Sequence, residues 1–167
     1  MTSLKNEIVG SWKLLSYIEI PVGGDDYQFP LGQKPKGILI LSPDGFMSVQ
    51  IAVNTSSRYE NEDRFSVSDS DLAARAKQYI AFSGTYTIDS EYSRVTYNII
   101  TSLHPNWEGE KQVRKMDFEK DIMYQKSVDP VLSGGQFVHV YMTWQRVHKT
   151  EEIEAESEEF SRGFGFL

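Results

Sequence analysis

The residues of this chain best placed to do chemistry sit in one stretch, SLHPNWEGEKQVR, residues 102–114. His104 is of the residue type that moves a proton in acid–base chemistry. Arg114 offers a forked, permanently charged donor set that suits a carboxylate, an enolate or a ketone oxygen. Together they fit acid–base chemistry on a small carbonyl compound, one group shifting the proton while the other holds the oxyanion. Tyr97, a mid-strand phenol, adds a donor for a ligand carbonyl, so His104, Arg114 and Tyr97 form the candidate catalytic set. Gln50, Tyr86, Asn106, Trp107 and Gln112 form the candidate binding set. The competing reading of 102–114 is a rigid corner, with Trp107 as a plug and Arg114 paired to Asp117 or Glu119. Gln112 and Arg114 share one strand face; if that face points inward, both converge with His104 and Trp107 on one opening.

Other chemistries lack their residues. The histidines, at 104, 139 and 148, show no spacing that would gather two on one element, so no metal site is expected. His139 alternates out of phase with Val138, Val140, Met142 and Trp144, which turns it outward and argues against a haem ligand. GGDD and SGGQ are turn glycines, not phosphate loops opening a helix, and nothing resembles a nucleophile elbow. Glu108 and Glu110 flank a turn glycine and read as solvated charges rather than a glycosidase pair. No cofactor is expected.

The elements that position these residues are mostly strands. Strands read at 11–20, 46–53, 83–89, 94–102, 112–119, 121–128 and 136–147, mostly by period-two alternation, and at 37–41 by a short run apolar throughout, with turn signals between. In the first of these, Trp12, Leu14, Ile18 and Ile20 share a face. SPDG at 42–45 has the chemistry of a type I turn closing a hairpin. One segment differs: SDSDLAARAKQYIAF has a Ser68 or Asp69 cap and apolar positions at 72, 73, 76, 79 and 80, which predicts a helix of about three turns. The polar run 54–67 reads either as a lid or as a plain surface excursion. Pro105 extends His104, and Asn106 and Gly109 supply the turn.

A chain of 167 residues fits one domain. Its net charge of −7 is uneven: residues 151–167 hold six glutamates against Arg162, a net of −5, so the rest carries −2. A body so near neutral, without basic clusters, is not expected to bind nucleic acid. The expected division is a barrel at 1–148 and an acidic, flexible tail at 149–167, whose GFGFL end leaves docking on a second copy, a homodimer, open. With no cysteine, no signal-like apolar run and no stretch long enough to span a bilayer, a cytoplasmic protein without membrane contact is expected.

Eight sequential strands with tight turns and one short helix point to an all-β, up-and-down antiparallel barrel, because closure removes the two free edges. VGSW at 9–12 resembles the Gly-x-Trp signature of lipocalins, and TWQR at 143–146 resembles the arginine that packs across that tryptophan. With 30–48, 79–89 and 102–114, the chain resembles the lipocalin-like domain family over roughly residues 8–147. That resemblance implies a small barrel enclosing a small, largely apolar molecule. It leaves three roles open: a cofactor-free isomerase or cyclase of natural-product biosynthesis acting on a polyketide- or terpenoid-like substrate, a non-catalytic carrier or sensor, and a solid barrel acting through its surface.

Overall fold

The computed structural model describes residues 3–55 and 57–148; the tail at 149–167 lies outside the described residues. Nine strands follow in order: β1 Gly10–Pro21, β2 Lys36–Leu41, β3 Phe46–Ala52, β4 Tyr79–Asp89, β5 Arg94–Ser102, β6 Lys111–Glu119, β7 Ile122–Ser127, β8 Val131–Ser133 and β9 Gln136–Arg146. Neighbours pair antiparallel from β1 to β7 and then β9, and β9 pairs back onto β1 from Trp12↔Arg146 to Pro21↔Val138. Eight strands therefore close the expected up-and-down barrel and leave none of its edges unpaired. β8 is an addition that the alternation did not signal. It takes up pairing with Gln136–Val138 where β7 has ended, after Pro130 has interrupted the ladder by lacking an N–H.

The first strand departs from simple alternation. Trp12 and Leu14 are buried, but the register slips between Leu14 and Ser16, and beyond that bulge Tyr17 and Glu19 are the buried residues. One extra residue exchanges the two faces of everything after it. The expected shared face of Trp12, Leu14, Ile18 and Ile20 is thus split: Ile18 and Ile20 turn away from the interior, and a carboxylate takes their place.

One end of the barrel is solid. A short helix α1, Leu4–Ile8, absent from the expectations, buries Leu4 and Ile8 beneath it, and Ile8 O accepts a 2.9 Å bond from Trp12 Nε1. The Arg146 guanidinium lies 4.3 Å over the Trp12 ring and donates to Val9 O at 2.8 Å and to Glu7 O. Gly10, at φ 137°, is required here, since a Cβ would lie 2.7 Å from Arg146 Nη1. Trp144, Leu41, Met47, Met116 and Met123 fill the space above.

The second helix, α2 Asp69–Lys77, begins as predicted with Ser68 capping Asp71 N at 3.3 Å. It stops short of the expected end because Tyr79–Phe82 pairs with β3, from Ala52↔Tyr79 to Val49↔Phe82. Alternating YIAF satisfies a strand better than a helical stripe. Among the described residues no helix is long and apolar enough to cross a membrane.

Candidate functional site

The end opposite α1 is hollow. A cavity of about 380 Å³ runs from Trp144 and Met142, past Leu39, Val49, Ile51 and Phe82, to a mouth edged by Leu31, Trp107, the last turn of α2 at Ala76 and Lys77, and residues 131–134. That volume suits one small molecule. Among the described residues of 54–67 none lines it, and the described edge of the mouth is formed by α2.

The inward question for β6 resolves cleanly. Gln112, Arg114 and Met116 alternate toward the interior, while Asp117 and Glu119 are exposed on the other face. Arg114 is 7% exposed and is not paired with either acid, contrary to the corner reading. Next to it, β5 brings in Tyr97, opposite Gln112 in the ladder. His104 precedes a 3₁₀ turn, Pro105–Trp107, closed by Gly109 at φ 81°. Its ring packs edge-on to Trp107 at 5.0 Å, and Trp107 packs edge-on to Phe82 at 6.0 Å. The structure therefore brings His104, Trp107, Gln112, Arg114 and Tyr97 to one cavity.

Three expected residues lie elsewhere. Gln50 is on the outer face of β3, accepting from Tyr79 Oη, because inward positions there belong to Met47, Val49 and Ile51. Tyr86 is buried but donates at 2.6 Å to Ser42 O near the 42–45 hairpin, away from the cavity lining. Asn106 is exposed in the 3₁₀ turn, which it shapes without reaching inside.

Three other residues complete the polar lining and were missed. Trp144 Nε1 donates to Gln125 Oε1 at 3.2 Å, and Gln125 Nε2 donates to the Tyr97 hydroxyl at 2.9 Å. An indole can only donate, so it fixes the amide's orientation and makes Tyr97 oxygen an acceptor, leaving the Tyr97 proton free to donate. Arg114 Nη2 donates to Gln112 Oε1 at 2.7 Å, while its buried Nε has no partner. From β1, Tyr17 donates to Glu19 Oε1 at 3.2 Å, and Glu19 is only 6% exposed. Gln125 was legible as the partner in phase with Met123 on β7. Tyr17 and Glu19 were hidden by the bulge.

Residues 9–147 match the lipocalin-like domain family. The chain belongs to that family. It is also similar to a 4'-hydroxy-3'-methoxypropiophenone carrier protein of Aspergillus oryzae, at 27% identity over 107 residues, which is 60% of this chain and 96% of that protein.

Within this lipocalin-like barrel the electrostatics follow from burial. The Tyr97 phenol is pushed up to about 12, chiefly by loss of water, with Arg114's charge and the Gln125 hydrogen bond opposing. Tyr17 is raised further by burial and by the neighbouring Glu19 charge. Both phenols stay protonated donors at neutral pH. Burial lowers the Arg114 pKa, and the two phenols partly offset this; its high intrinsic basicity keeps it a cation. The site thus presents Tyr97 O–H and Arg114 Nε–H as donors and Glu19 as an acceptor, beside apolar walls from Leu39, Val49, Ile51, Phe82, Val140 and Met142. Among the described residues no three His, Asp or Glu side chains come together as a metal site would require.

Proposed function

We propose that this barrel carries a small aromatic ketone that also bears a hydroxyl group, the ketone oxygen held by Arg114 and Tyr97 and the hydroxyl directed at Glu19. The observation that carries this reading is Arg114: a guanidinium in the wall of an apolar cavity, paired with no carboxylate and keeping one buried N–H without a partner. An orphaned buried donor costs about 1–3 kcal/mol, more for a charged group, and a ligand oxygen would recover it. Support also comes from the relative's cargo, since 4'-hydroxy-3'-methoxypropiophenone has a ketone and a phenol at opposite ends of one ring. The test is titration with that compound, read by fluorescence of Trp107 and Trp144 in the lining. Binding by the parent and a loss of roughly 10- to 100-fold in Arg114→Met is expected; equal affinity in both would sink the proposal.

A second reading, the cofactor-free isomerase or cyclase on a polyketide- or terpenoid-like substrate, is favoured by one specific feature: the Glu19 carboxylate buried in the same chamber as Arg114. There, Glu19 or His104 takes a proton from the carbon beside the ketone, and the electron pair moves onto the oxygen, where Arg114 and Tyr97 stabilise it. In deuterated buffer this reading predicts protein-dependent exchange of the α-hydrogens, seen as a mass increase. The carrier reading predicts ligand recovered unlabelled. In both readings the protein works in the cytoplasm, away from nucleic acid.

A further inference from the structure

One polar side chain of the cavity wall stands where an apolar one would pack as well. Gln125, on β7, is 2% exposed, and its ladder partners are Met116 on β6 and Met142 on β9. A third methionine would suit that setting, whereas a buried amide has to be satisfied at both of its ends. It is satisfied by two residues of the lining: the Trp144 indole donates to its oxygen at 3.2 Å, and its amide nitrogen donates to the Tyr97 oxygen at 2.9 Å.

This series of bonds has a direction. An indole N–H only donates, so Gln125 must turn its oxygen to Trp144 and its N–H to Tyr97. Tyr97 ends the series: its hydroxyl donates to none of the described residues, and its proton is available to a ligand. Arg114 Nε is likewise a buried donor without an acceptor. The amide oxygens of the same wall already receive a proton, Gln125 from Trp144 and Gln112 from Arg114. A ketone oxygen entering here meets two donors and can accept from both. The secondary alcohol of the same skeleton brings a hydroxyl proton among oxygens that are already engaged.

We infer that the barrel sorts its cargo by oxidation level, holding an aromatic ketone in preference to the secondary alcohol two hydrogens richer, and that Gln125 is the positioning residue that sets this preference by keeping Tyr97 a donor. The inference rests on the carrier reading, in which the ligand's phenolic hydroxyl occupies Glu19. A glutamate in place of Gln125 reverses the last bond of the series. Its carboxylate accepts from the indole and from the phenol alike, which turns the Tyr97 proton away from the ligand.

The probes are 4'-hydroxy-3'-methoxypropiophenone and the secondary alcohol of the same skeleton, each titrated calorimetrically into the full chain. The parent should bind the ketone about tenfold more tightly or better, the effect of one buried hydroxyl proton left without an acceptor. Gln125→Glu should lose about tenfold for the ketone and little for the alcohol, which brings the ratio of the two affinities near one. Gln125→Met keeps the volume and lets the Tyr97 hydroxyl turn, so it should reduce the ratio to within about threefold, and it carries the test if the buried carboxylate prevents folding. Damage to packing alone weakens both compounds alike; a folded variant that keeps the parent's ratio would overturn the inference. A parent that binds both compounds within about threefold of each other would overturn it and leave the carrier reading standing. A parent that binds neither would overturn both.

Discussion

Arg146 and Arg114 stand at opposite ends of the same barrel, and their partners differ in kind. Arg146 covers Trp12 and gives its protons to two main-chain carbonyls, those of Val9 and Glu7. Arg114 is more deeply buried, yet its best hydrogen bond goes to one side-chain amide and its Nε goes unused. A residue whose hydrogen-bonding capacity is consumed by the fold holds the fold. A buried charge left short of partners is the feature on which the proposed carrier role rests, because natural cores seldom leave such a group unpaired.

If this contrast is right, the solid end should dominate stability. Trp12→Ala removes the largest wholly buried side chain of that end together with its bond to Ile8 O. The expected loss is about 3–5 kcal/mol in urea unfolding. A variant melting within a degree or two of the parent would mean that the barrel does not rely on its α1 end.

The two arginines can be compared directly by replacing each with methionine. Arg146→Met should cost about 2 kcal/mol, since two main-chain acceptors lose a charged donor. Arg114→Met should leave stability within about 1 kcal/mol of the parent or raise it, as apolar replacement of a poorly paired buried charge often does. Equal losses at both positions would erase the distinction between a structural and a functional arginine.

Alkaline pH sharpens the comparison from another side. Tyr97 ionises near its ordinary value of 10 in the unfolded chain but near 12 in the folded one. Below 10 both states keep the proton, and its contribution is fully present. Between 10 and 12 only the unfolded state releases it, so stability falls as pH rises through that window. Tyr17, raised in the same direction, adds to the fall. Urea midpoints from pH 9 to 12 should drop more steeply for the parent than for Tyr97→Phe, and parallel curves would contradict the burial assigned to this phenol.

The same two ends explain what could be read from the amino acids. Gly10, Trp12 and Arg146 were legible through their resemblance to the lipocalin Gly-x-Trp and arginine signature, which the close packing at that end explains, and the turn at 42–45 because its backbone demands its residues. Gln112 and Arg114 were legible as a pair, since period two places them together, although their inward direction required the ladder. Glu19 was not legible. Its position depends on a bulge between Leu14 and Ser16, and nothing in KLLSYIEI marks where one residue fails to pair. Gln50 shows the converse: alternation did place it opposite the apolar face, and its polarity alone made it look like a cavity residue. The end of α2 was misplaced because Tyr79 and Ile80 fit both periods, and only pairing with Ala52 and Ile51 decides between them.

The smallest expected effect tests how far the site extends toward solvent. His104 lines the mouth but is exposed, and its contact is with the Trp107 ring, not with the buried network of Tyr97, Gln125 and Arg114. For a carrier, His104→Ala should alter affinity by less than about threefold, or roughly 0.7 kcal/mol. It should mainly quicken release, since loosening Trp107 widens the exit without touching the oxygen-binding groups. Stopped-flow displacement separates the two quantities. A loss as large as that of Arg114→Met would make the imidazole a direct ligand contact. If deuterium exchange also vanished in this variant while affinity held, His104 rather than Glu19 would be the base, and the mouth of the barrel would be its reacting centre.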